Sequence, residues 1–132
     1  MRLLLKLAFV LTALMSLLTP AHAQTPSPLS YNGKTVLVTG STDGLGRELA
    51  RALAADGAHV IVHGRNAERG QALVDEITKA GVGSAKFVGA DFASLDAVRA
   101  FADTIAKDYP KLDLLVNNAG IAFLDDHPRE TS

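Results

Sequence analysis

The chain has 132 residues, a formal net charge of −1 and 48% hydrophobic residues. That size and composition fit one globular domain and exclude the basic face that nucleic-acid binding requires. With no cysteine, a disulfide framework and a thiolate metal site are excluded as well.

The N-terminal segment reads as a targeting signal. Arg2 and Lys6 supply a positive start, residues 7–18 an apolar core, and Ala21-His22-Ala23 an A-x-A cleavage site. Residues 1–23 are therefore expected to be a signal peptide removed before Gln24, exporting the remaining chain to a secreted or periplasmic location. The apolar run falls short of the roughly 20 residues of a membrane span. Retention as a membrane anchor is the alternative. Residues 24–32, with Pro26 and Pro28, form a stiff polar linker.

The body alternates short apolar strands with amphipathic helices. Residues 35–39 are a β-branched run suited to a strand buried on both faces. A helix is predicted over 45–56, with Leu45, Leu49, Ala52 and Leu53 on its buried side and Gly57 closing it. Between these two elements lies Thr39-Gly40-Ser41-Thr42-Asp43-Gly44-Leu45-Gly46. A strand that ends in glycines and opens a helix aims unpaired N–H groups and the positive helix end at one point, where a pyrophosphate fits. Gly40 permits the turn, Gly44 lets phosphate approach the backbone, and Gly46 allows close helix-on-sheet packing. The spacing is G-x-x-x-G-x-G rather than G-x-G-x-x-G.

A second strand is predicted over 59–63 and a second helix over 66–80, burying Leu73, Val74 and Ile77 and ended by Gly81. His59 and His63 share one strand face with no third ligand at metal spacing, so both read as solvated or helix-covered positions. Arg65 follows this strand where an acidic residue would hold the ribose 2′-hydroxyl of NAD. An arginine there suits the 2′-phosphate of NADP. NADP is thus expected in preference to NAD, with Arg47 in reach to assist.

A third strand is predicted over 85–89. Ser94 caps a third helix with Leu95, Val98, Phe101 and Ile105 as its stripe, and Tyr109-Pro110 stops it. The fourth strand, 112–116, leads into Asn117-Asn118-Ala119-Gly120. This order predicts an α/β fold, a Rossmann-type doubly wound parallel sheet in the order 3-2-1-4. The first two helices lie on one face and the third on the other. Half of such a domain is spelled out, over residues 33–124, and 125–132 read as a truncated loop. Strand 4 is then an open edge carrying Leu112, Leu114, Leu115 and Val116, which invites self-association.

The glycine turn T-G-x-x-x-G-x-G, Asp91 after strand 3 and N-N-A-G at 117–120 together resemble the short-chain dehydrogenase/reductase family, over its N-terminal cofactor-binding half. With His63-Gly64-Arg65-Asn66, they are similar to its retinol-dehydrogenase-like branch. The resemblance implies that Gly40, Gly44 and Gly46 line the pyrophosphate, that Ser41 hydrogen-bonds near the adenosine ribose and that Leu45 offers its N–H. Asp91 and Phe92 would meet the adenine, and Asn117, Ala119 and Gly120 the nicotinamide ribose, while Asn118 holds the sheet together. Asp43 occupies a place where some NADP-preferring relatives carry a basic residue.

The family's chemistry also needs a Ser and a Y-x-x-x-K pair. Tyr31 is followed four places on by Thr35 and Tyr109 by Asp113, so no catalytic residue is assigned and these residues alone are expected to be inactive. The leading reading is the cofactor-binding half of an NADP-dependent oxidoreductase that interconverts an alcohol and a carbonyl. The alternative is a non-catalytic nucleotide-binding remnant or interaction module. Substrate and oligomeric state are not legible.

Overall fold

The computed structural model describes residues 30–120. The expected signal peptide, most of the linker and the expected terminal loop lie outside them. The elements in chain order are β1 (Thr35–Val38), α1 (Gly44–Ala55), β2 (His59–Gly64), α2 (Ala67–Ala80), β3 (Ser84–Gly89), α3 (Leu95–Asp108) and β4 (Leu114–Val116). All three strand pairings are parallel and the order is β3-β2-β1-β4, as the alternating pattern predicts.

Each helix begins on a residue able to cap it. The side chains of Asp43, Asn66 and Ser94 accept the N–H of Gly44, Arg69 and Ala97, satisfying donors that no helical carbonyl reaches. Gly81 ends α2 in the left-handed region at φ 72°, a conformation that a Cβ would strain.

The sheet separates two apolar layers. On one face Val36, Val38, Val60 and Val62 pack with Ala50, Leu53 and Ala54 of α1 and Leu73 and Ile77 of α2. On the other, Leu37 and Ile61 meet Phe101 and Ile105 of α3. Strand alternation therefore sends alternate residues of β1 and β2 to different helices.

Three expectations need correction. Leu45 and Ala52 do not face the core: Leu45 is 77% exposed, and the buried side of α1 is Gly46, Ala50, Leu53 and Ala54. Close approach at Gly46 sets the rotation, because a Cβ there would collide with the Gly40 carbonyl and the Asn118 amide. Leu95 is likewise exposed, being the first residue of α3 and beyond the edge of the stripe that Phe101 and Ile105 bury.

The third correction concerns β4, which starts at Leu114 rather than 112. The Asp113 N–H donates to the Thr35 carbonyl at 2.9 Å, but the Thr35 N–H goes to the Asp113 carboxylate at 2.9 Å, so only one of the two bonds there is a backbone rung. Leu112 packs on the α3 layer, and Leu114 and Val116 on the α1–α2 layer. Of the four apolar residues expected at the open edge, Leu115 alone ranks among the exposed large hydrophobics.

Candidate functional site

The C-terminal ends of the strands converge on one cleft of about 620 Å³. In open parallel sheets this is the end at which ligands bind, where the strand order reverses. Here the reversal falls between β1 and β4, whose exits carry the glycine turn and residues 117–120.

The turn after β1 is built by Gly40, at φ 64°. A Cβ there would stand 2.8 Å from the Ala119 Cα, so glycine is required by conformation and by space. Gly44, at φ 52°, has nothing within 4 Å of the place a Cβ would occupy. It leaves open space at the start of α1. Asp43 caps Gly44 with one carboxylate oxygen and with the other accepts from Arg69, each at about 3 Å. The N–H groups of Leu45 and Gly46 belong to the first helical turn, where no carbonyl of the same helix can reach them.

The exits of β1 and β4 are tied together. Thr39 Oγ1 accepts the N–H groups of Asn118 and Ala119, each at 3.0 Å. The Asn118 side-chain amide donates to the carbonyls of Thr39 and Gly40, each at 3.1 Å. Asn118 thus fixes the separation of the two turns.

His63 joins the turn to the far wall. Its Nδ1 accepts the Gly40 N–H at 3.1 Å and its Nε2 donates to the Ala90 carbonyl at 3.1 Å, which defines a neutral ring carrying its proton on Nε2. The ring stacks on Phe92 with centroids 4.0 Å apart and meets Phe101 at 4.8 Å. Burial holds its pKa below the ordinary imidazole value, with the Ala90 hydrogen bond opposing that shift.

The cleft brings together Gly40, Asp43, Arg65, Asp91, Phe92, Ala119 and Gly120 of the sequence-predicted set. Arg65 is exposed and has no hydrogen-bonding or ion-pairing partner among the described residues. Asp91 turns one oxygen onto the Ala93 N–H at 3.0 Å.

Other members of the set lie elsewhere. The expectation that Ser41 bonds near a ribose is corrected: its hydroxyl is fully buried, donating to the Val38 carbonyl and accepting the His63 N–H. Gly46 is a packing glycine under the turn, and Leu45 and Asn117, both exposed, do not line the cleft. Arg47 is held by Glu76 at 3.0 Å. Sequence reasoning missed the parts played by His63, Thr39 and Thr42. Thr42 folds over Gly64, where a Cβ would meet its methyl at 2.5 Å. The only sequence signals were a polar residue on a strand and two threonines in the glycine turn.

Residues 34–131 match the short chain dehydrogenase family. The chain belongs to that family. It is 46% identical over 91 residues to a 3beta-hydroxysteroid dehydrogenase of Mediterraneibacter gnavus, covering 69% of this chain and 33% of that protein. It is 40% identical over 104 residues to carbonyl reductase (NADPH) 1 of Sus scrofa, covering 76% of this chain and 35% of that protein. Among solved structures, a metagenomic short-chain oxidoreductase in complex with NADP aligns with a TM-score of 0.65 at 38% identity, over 70% of this chain and 42% of that one. The chain thus spans about a third of the length of the curated relatives it matches.

Proposed function

We propose that the chain forms the cofactor-binding half of an NADP-dependent oxidoreductase that interconverts an alcohol and a carbonyl. The observation that carries this reading is the cleft itself. It joins a glycine turn at a helix start, a guanidinium with no partner among the described residues and a carboxylate–phenylalanine pair at one end of a parallel sheet.

The residues present fit a phosphorylated dinucleotide. Gly44 leaves room at the helix start, and the unpaired first-turn amides with the positive helix end favour a pyrophosphate. Arg65 would hold the 2′-phosphate through charge-assisted hydrogen bonds, and Asp91 and Phe92 would border the adenine. Ala119 and Gly120 would face the ribose next to the nicotinamide. Once bound, the nicotinamide dinucleotide supplies or accepts the hydride. The groups that move the substrate proton are not assigned to any residue of this chain. Asp43 opposes phosphate at the turn, and its pairing with Arg69 offsets that charge.

Titration of the purified chain with NADP and NAD tests the reading. Arg65→Asp is expected to weaken NADP binding by about 10- to 100-fold, the range for hydrogen bonds to charged groups, and to shift preference toward NAD. Unchanged NADP affinity would reject Arg65 as the determinant. Residues 1–23 are proposed to direct export, which N-terminal sequencing of the mature protein checks: Gln24 at the start supports cleavage and Met1 opposes it.

A further inference from the structure

We propose that His63 is a positioning residue that makes dinucleotide affinity depend on pH. Its neutral ring holds the phosphate-side turn against the adenine-side wall, and it releases that turn when protonated. The inference rests on the dinucleotide reading above and assigns to that site a residue that borders the cleft and acts through the turn and wall its ring holds together.

The geometry leaves the ring no room for a second proton. Nδ1 faces the N–H of Gly40, a donor, and Nε2 already gives its proton to the Ala90 carbonyl. Protonation at Nδ1 would set two N–H groups against each other across 3.1 Å. The contact then changes from attraction to repulsion and the ring must leave it. What moves with it is the cleft. Gly40 lies against Ala119 and shares its carbonyl with Asn118, so loss of the Nδ1 contact loosens both turns. On the other side the ring stacks on Phe92, which borders the same cleft.

The surroundings favour the neutral form. The residue is 3% exposed. The β1–α1 turn presents the backbone of Gly40, the β3–α3 connection presents Ala90 and Phe92, and α3 presents Phe101. Among the described residues no charged side chain hydrogen-bonds to the ring. The charged groups bordering the same cleft are Asp43, Arg65 and Asp91, of which Asp43 is committed to Arg69 and Gly44. Among the described residues no carboxylate bonds to the ring to hold an imidazolium, and burial pushes the ring toward neutrality against the Ala90 hydrogen bond.

The pH dependence therefore has one sign. If the binding-competent site needs the neutral ring, NADP affinity is constant at high pH and falls by about tenfold per pH unit once pH drops below the point where His63 titrates. The 2′-phosphate itself titrates near pH 6, so the dissociation constant is measured from pH 8 to pH 5 in the wild-type chain and in two variants. His63→Asn places a carbonyl oxygen where Nδ1 stood and cannot titrate. Its affinity is expected to keep only the shallow slope that the phosphate contributes. His63→Phe keeps a ring against Phe92 but offers Gly40 no acceptor, and is expected to bind more weakly at every pH, by about tenfold. In the wild-type chain, without ligand, the Gly40 amide resonance is expected to titrate together with the His63 ring.

Equal pH slopes in the wild-type chain and His63→Asn, or a Gly40 amide that does not move as His63 titrates, would overturn the role of His63 while leaving the cofactor reading intact. Tighter binding at low pH that disappears in His63→Asn would overturn it too, by showing that the imidazolium attracts the phosphates. Absence of NADP binding at every pH would overturn both readings.

Discussion

At Gly46 the helix start, the glycine turn and the exit of β4 press together, since any side chain there meets the Gly40 carbonyl and the Asn118 amide. Both neighbours are held by hydrogen bonds and neither can fold away. Gly46→Val is expected to destabilise the chain by about 1–3 kcal/mol, the cost of overpacking, and to abolish NADP binding; urea unfolding and a binding titration check the two effects separately. Asn118→Ala removes a donor shared by two carbonyls and is expected to cost about 1–3 kcal/mol. Sequence pattern is informative here where a residue acts through its backbone: the turn glycines can be placed from spacing, and Ala119 and Gly120 from the family resemblance. Residues acting through side-chain contacts are not legible. The family resemblance implies a ligand role for Ser41, yet its hydroxyl is spent on Val38 and His63. The part played by His63 depends on Phe92 and Phe101, which arrive well after it in the chain and only through the fold.

Among elements, order, type and pairing are all readable, because hydrophobic period switches cleanly between strand and helix and each helix carries its own cap. The Ser94 cap is the simplest to test. Ser94→Ala removes the acceptor for the Ala97 N–H and is expected to cost about 1 kcal/mol, seen as a lower urea midpoint with unchanged slope. A larger loss would mean that Ser94 has a partner beyond the cap. Element ends and helix rotation are less legible, and the reasons are local. Leu45 fits the apolar spacing of α1 but is turned outward because Gly46 must face the turn. Residues 112 and 113 look like strand, yet Asp113 spends its carboxylate on Thr35, a contact with no periodic signature.

For the molecule as a whole, acid is expected to act in two stages. Burial holds the imidazoles of His59 and His63 below their ordinary value, with Lys86 adding to the effect at His59. The unfolded chain therefore binds protons from about pH 6.5 downward while the folded chain does not. Stability is flat above that pH and falls as pH drops toward the folded titration points. A second loss sets in below about pH 4, as protons reach Asp113, held low first by the Thr35 N–H, and Glu76, held low first by Arg51. A urea midpoint that stays constant between pH 8 and pH 5 would contradict the first stage. A polypeptide of these residues alone also presents β4, an edge strand among the described residues, and the 48%-exposed Leu115, so it is expected to self-associate at that edge. Sedimentation showing a monomer would contradict that.

The bonds from Thr39 and Asn118 across the exits of β1 and β4 also bear on how association proceeds. A ligand lying over both turns meets two surfaces whose spacing is already fixed, so little conformational entropy is lost beneath it. The freedom that remains to be lost belongs to exposed groups at the rim, Arg65 and Asp91 above all. Tightness of grip would then be set at the phosphorylated adenosine end, while the strand exits serve as a rigid ruler against which the length of the ligand is measured.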